Sequence, residues 1–166
     1  MNIPRDYDAE RALIACVFMD NALFSAITAG GVVKEAFHLP EHQLLWQATS
    51  DLFEAGTVVD VLTVGDWLES RNLLEESFGG RSALLKYTSS MATTAYVEDY
   101  AKLVYSKYRY RQAINIAQEM VNLVSEEGKD AEQIIEEMAS AVITLAQNGM
   151  KSKSLRPIHE FALDEM

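Results

Sequence analysis

From Tyr96 to Ser125, apolar side chains return at helical spacing for about eight turns. Val97, Ala101, Val104 and Tyr108 open the pattern, and Ile114, Ala117, Val121 and Val124 continue it. Gly128 is placed to end that helix, and Asp130 opens a second one with Ile134, Ile135, Met138, Val142 and Leu145 on one face. The turn Glu126–Asp130 is short enough to fold the second helix back antiparallel to the first. Two long amphipathic helices joined in this way leave an apolar seam uncovered. Self-association through Val121, Val124, Ile134, Ile135 and Met138 is therefore expected.

Upstream, the helix signals are shorter. Asp6 or Asp8 caps Ala9–Met19, Asn21 caps Ala22–Ala29, and Pro40 suits the first turn of Glu41–Ala55, which carries Leu45, Trp46 and Leu52 and ends at Gly56. Asp60 is a good N-cap for Val61–Asn72, burying Val61, Val64, Trp67 and Leu68, and Arg81–Met91 follows the turn at Gly79-Gly80. Gly30-Gly31 makes another turn. The run Val58–Leu62 is by itself ambiguous between strand and helix start. Pieces this short are stabilised by packing on one another rather than by propensity. The expected fold is all-α: a compact bundle of short helices over residues 1–95, a long helical hairpin over 96–147, and a linker with the start of a linker helix over 148–166. The linker reading rests on the loss of period from Asn148, after which Ile158, Phe161, Ala162 and Met166 restart an apolar pattern without a cap, as in a piece of a longer chain.

A formal charge of −11 argues against a nucleic-acid clamp, because phosphate neutralisation needs Lys and Arg. The charge is uneven. Residues 1–101 hold 15 acidic and 6 basic side chains, 102–111 hold four basic and no acidic ones, and 112–147 hold seven acidic ones against Lys129 alone. Such asymmetry usually reports partners rather than fold. The single cysteine, Cys16, stands among Ile14, Val17 and Phe18 and reads as a small buried apolar side chain. No secretory leader opens the chain and no apolar run is long enough for a bilayer, so a cytoplasmic location without membrane contact is expected.

Two motifs invite chemistry. His38-Leu39-Pro40-Glu41-His42 matches a zinc-peptidase pattern that needs both histidines on one helical face. Pro40 opposes this by starting the helix between them, and His159 is the only further histidine, so His42 is expected to be a packed or capping residue. Tyr105, Lys107, Tyr108, Arg109, Tyr110 and Arg111 mix rings and cations as single-strand binding surfaces do, but on a helix they point all round the axis. Tyr108, with Tyr105, is expected in the core, and the cations solvated or paired with carboxylates, so contact with single-stranded DNA there is secondary. No phosphate-binding loop and no catalytic constellation is present.

Taken in order, these residues resemble the amino-terminal domain of DnaB-type hexameric replicative helicases. The resemblance is carried by Pro4 ahead of Ala9-Glu10-Arg11-Ala12-Leu13-Ile14, Phe37 before His42, Gly56 with Asp60 and Thr63, Gly79-Gly80 with Leu84, and Tyr100-Ala101 with Val104 and Arg111, and it spans residues 4 to 147. The chain departs from it at Ala15, where the family has Gly, at Ala83, where it has an aromatic, and near Met91–Ala95, where it has Pro and Asn, as a divergent bacterial or phage member would. The resemblance implies a collar that assembles as a trimer of dimers in a hexamer and docks primase or a helicase loader. It also implies that ATP, Mg and most DNA contacts belong to a motor domain absent from this chain. The acidic hairpin turn, Glu126, Glu127, Asp130 and Glu132 with Glu136 and Glu137 beyond, is then expected to steer a basic partner. The rival readings are a stand-alone acidic helical adaptor that binds a helicase and a metal hydrolase built on His38, Glu41 and His42.

Overall fold

The computed structural model describes residues 3–89, 93–125 and 130–152. Its elements are helices, with one short 3-10 turn at Lys34–Ala36. In chain order they are α1 (Tyr7–Met19), α2 (Leu23–Ala29), α3 (Pro40–Glu54), α4 (Val61–Glu69), α5 (Leu74–Phe78), α6 (Arg81–Ser89), α7 (Val97–Ser125) and α8 (Ala131–Ser152).

The caps explain most of the boundaries. Asp6, rather than Asp8, caps α1 by accepting the Ala9 N–H at 3.0 Å, which leaves Asp8 to pair with Arg11 at 2.7 Å. Pro40 occupies the first turn of α3, where its missing N–H has no partner to lose. That helix ends at Ala55, with Gly56 just beyond it at φ 67° and the Thr57 N–H returning to the Leu52 carbonyl. Asp60 and Thr63 form a reciprocal capping box on α4, which resolves the Val58–Leu62 ambiguity as a loop followed by a helix start. Two short elements escape the sequence pattern, α5 and the 3-10 turn, because neither is long enough to show a period. The helix expected over Val61–Asn72 is shorter: α4 stops at Glu69, and Asn72 adopts φ 58° ahead of α5.

Asn21 does something other than cap α2. Its side-chain amide donates to the Val17 carbonyl at 2.7 Å and to the Val59 carbonyl at 2.8 Å, while its oxygen accepts the Val59 N–H at 2.8 Å. It thus behaves as a one-residue strand partner for the segment before α4, and fixes the end of α1 against it. A capping role would leave the fully buried Val59 without a partner for its N–H.

Helix α1 lies at the centre, packed by α2, α3, α6 and α7. Leu13, Ile14 and Val17 are wholly enclosed, and an aromatic layer of Phe24, Phe37 and Trp46 closes over them with ring centroids about 5 Å apart. Cys16 is sealed here, and burial pushes its thiol up to about 11, so it packs as an inert side chain. The first half of α7 belongs to this core: Val97 and Val104 are buried, and Ala101, Tyr105 and Tyr108 pack against it. Tyr105 sits on Gly31, whose φ of 90° and lack of Cβ admit the ring at 3.0 Å from where a Cβ would be.

The second half of α7 pairs with α8 to make the expected hairpin. Its inner seam differs from the sequence expectation. Gln112, Ile116, Met120 and Leu123 on α7 are half-buried, as are Met138, Ala141 and Leu145 beside the buried Ile134 on α8. Ala117, Val121, Val124, Ile135 and Val142 face solvent instead. With α7 as its packing neighbour, α8 has only a narrow stripe covered, and residues one position off that stripe stay wet. Helix α8 also continues through Asn148 and Gly149 to Ser152, past the point where the linker is expected to begin. Among the described residues no helix is long and apolar enough to cross a membrane.

Replacing Asn21 by Ala leaves the buried Val59 N–H unpaired, which costs about 2 kcal/mol. Urea denaturation followed through the emission of Trp46 and Trp67 should show that loss. A midpoint equal to wild type would mean the Asn21 bridge contributes nothing.

Candidate functional site

A carboxylate inside an apolar helix face organises the globular half. Glu10 lies on α1 among Ala9, Leu13 and Ile14 and is only 2% exposed. One oxygen accepts the His38 N–H at 2.8 Å, and the other approaches the Leu39 N–H at 3.4 Å and His42 Nδ1 at 2.7 Å. The residue before α3, Leu39, has no side-chain cap to offer, and Glu10 from a different helix instead holds the N–H groups of the two residues leading into α3, at the positive end of its dipole. His42, 3% exposed, is held between Glu10 and the ring of Tyr87, which meets it edge-on at 5.6 Å. Burial, followed by the nearby Glu41 carboxylate, pushes the Tyr87 hydroxyl up to about 12.

This geometry decides what the His-x-x-Glu-His stretch can do. His38 precedes α3 and stacks at 5.9 Å on Tyr7, while His42 points inward onto Glu10, so the two rings do not share a helical face. The stretch is an anchoring motif whose partner is Glu10. Its sequence signal was a charged residue standing in the apolar run of α1.

The basic cluster is equally structural. Arg111 donates to the carbonyls of Pro4 at 3.0 Å, Glu35 at 3.3 Å and Ala36, and burial lowers its pKa from the usual arginine value. It thereby ties α7 to the start of the chain and to the 3-10 turn. Arg109 donates to the Leu145 carbonyl of α8 and to Gln112 Oε1 at 3.1 Å. The expectation that these cations are solvated or paired with carboxylates therefore fails for both. Both guanidinium groups reach backbone carbonyls, and side-chain spacing does not report carbonyls. Tyr105 and Tyr108 pack on the core as expected, which removes them from any stacking platform.

The surface left over is apolar and acidic. On α7, Leu103, Tyr110, Val121 and Val124 are exposed, and on α8 Ile135, Val142 and Ile143 are exposed. Of the expected association residues, Val121, Val124 and Ile135 face solvent at 60%, 63% and 56%, whereas Ile134 and Met138 turn into the hairpin seam. Of the expected steering residues, Asp130 and Glu132 are exposed, as are Glu136 and Glu137, while Glu126 and Glu127 lie outside the described residues with Gly128 and Lys129. His159 and the segment 153–166 also lie outside them.

Glu10→Ala strands the His38 N–H and His42 in the interior and is expected to cost about 3 kcal/mol, with Glu10→Gln costing clearly less because the amide oxygen still accepts. Urea titration of both variants checks the order. Equal stability of the alanine variant and wild type would refute the anchoring role.

Comparison with known proteins places this arrangement. The DnaB-like helicase N terminal domain family matches residues 2–106. A replicative DNA helicase DnaC of Bacillus subtilis is 31% identical over 139 residues, 82% of this chain and 29% of that protein. A replicative DNA helicase DnaB of Nostoc sp. is 27% identical over 149 residues, 90% of this chain and 17% of that protein. The chain thus spans less than a third of the length of these two relatives. Among solved structures, the N-terminal domain of DnaB helicase from Mycobacterium tuberculosis superposes with a TM-score of 0.77 at 23% identity, covering 86% of this chain and 99% of that one. A DnaB-like replicative helicase, described together with its interactions with primase, superposes at 0.66 and 22% identity over 84% of this chain and 31% of that one. With its family matched over well more than half its length and its helical order shared with solved members, the chain belongs to the DnaB-like helicase N-terminal domain family.

Proposed function

We propose that this chain is the collar of a replicative DNA helicase, a non-catalytic domain that mediates ring assembly and docks primase or a helicase loader during DNA replication. Hydrolysis of ATP with Mg and most DNA contact then belong to a motor domain outside this sequence, consistent with the missing phosphate-binding loop. Family membership supports the helicase assignment, and the relative described with primase supports the choice of partner. The single observation that carries the assembly role is the hairpin, whose outer faces leave Val121, Val124, Ile135, Val142 and Ile143 each more than half exposed. Helices with such stripes bury them by meeting a second copy, at about 25 cal/mol per Å² of apolar surface covered. The acidic end of the hairpin, with Asp130 and Glu132 exposed, fits a basic partner surface. A stand-alone adaptor would share the fold and the stripe but would act without a motor. The hydrolase reading loses its support, because His42 is engaged by Glu10 and His38 lies off the helix.

Sedimentation velocity at tens of micromolar should show dimers or larger species that Ile135→Glu dissociates, since a carboxylate in an apolar contact is costly to desolvate. A strict monomer at that concentration would sink the assembly role. Reversing Glu126, Glu127 and Glu132 to Lys should slow association with the cognate primase fragment and flatten its salt dependence, leaving helicity and self-association intact. An unchanged association rate at low ionic strength would place the partner elsewhere.

A further inference from the structure

Gly149 lies inside α8, where glycine weakens a helix relative to alanine. Its neighbour across the hairpin gives a reason for it. A Cβ at Gly149 would sit 2.8 Å from Arg109 Nη2 and 3.3 Å from Cζ, so the guanidinium lies against the bare backbone. From there Arg109 donates to the Leu145 carbonyl, the oxygen one helical turn before Gly149 that already accepts within α8. A carbonyl has two lone pairs, so an oxygen that accepts within its own helix can accept again. With no side chain at position 149, the Leu145 oxygen is open to Arg109. Gln112 holds the guanidinium from its other edge at 3.1 Å. Two residues further along α7, Arg111 clamps the same helix to Pro4, Glu35 and Ala36.

We propose that Arg109 and Gly149 form a latch that locks the last turns of α8 onto α7 at the base of the hairpin, and that with Arg111 it sets the orientation of α8 relative to the globular bundle. Gly149 is the access port of the latch, and Arg109 is a positioning residue that acts on the α8 backbone. Opening the latch frees the end of α8, and with it the direction in which Val142 and Ile143 are presented, without disturbing the packing around Glu10. The latch does not depend on the collar assignment, because both of its residues belong to one chain.

The test is a double-mutant cycle read by peptide-resolved hydrogen exchange at low micromolar concentration, in an Ile135→Glu background so that association does not protect the hairpin. Arg109→Met keeps the aliphatic stem and removes the donors. It should speed exchange in the peptide spanning 141–149 several-fold while leaving peptides of α1 and α3 and the emission of Trp46 and Trp67 unchanged. Gly149→Ala should slow exchange in that peptide when Arg109 is already Met, as an alanine normally does in a helix. In the presence of Arg109 the same substitution should lose that gain or reverse it, because the methyl expels the guanidinium. If Gly149→Ala slows exchange equally in both backgrounds, or Arg109→Met leaves the 141–149 peptide unchanged, there is no latch.

Discussion

The Glu10 carboxylate is the contact on which the arrangement of the globular half depends. It stands in the one helix that touches α2, α3, α6 and α7, and it receives the N–H groups of His38 and Leu39, just ahead of α3, together with the His42 ring. Buried and this heavily engaged, it fixes both the axial position of α3 along α1 and the direction of the loop entering it. A carboxylate left in that place without those donors would be strongly unfavourable, so the pairing specifies one packing of α3 and disfavours its neighbours. The aromatic layer of Phe24, Phe37 and Trp46 then falls into register over α1.

The hairpin obeys a different logic. Its helices are long, but beyond the bundle they meet chiefly each other, and the stability of a two-helix contact is limited by the narrow stripe each helix covers. Arginines compensate at the base. Arg111 joins α7 to the bundle through three carbonyls, and Arg109 joins α7 to α8 through one. A segment whose basic and aromatic composition suggests nucleic acid is instead a structural junction, with Tyr105 and Tyr108 packed on the core and both guanidinium groups on backbone oxygen. Positive charge in an otherwise acidic chain serves here to satisfy carbonyls across helix boundaries. The outer faces stay apolar and acidic.

Much of this was legible from the residues in order. Long helical periods, Asp60 and Pro40 at helix starts and Gly56 past a helix end are local signals, because capping and propensity act within a few positions of chain. They sufficed for the all-α class, for seven of the eight described helices, and for the order of motifs shared with the helicase family. Tertiary structure alone decided the rest. Asn21 serves Val59, 38 positions away, rather than its own helix, and Glu10 holds the backbone of His38, 28 positions downstream. Ile134 turns inward and Ile135 outward because only the placement of α7 selects which stripe of α8 is covered. Gly149, in the expected linker, lies inside α8 with Arg109 against it. The physical reason is common to all four: hydrogen bonds to backbone and burial against a distant helix depend on where chain segments meet, and a one-dimensional pattern of side chains carries no record of that meeting.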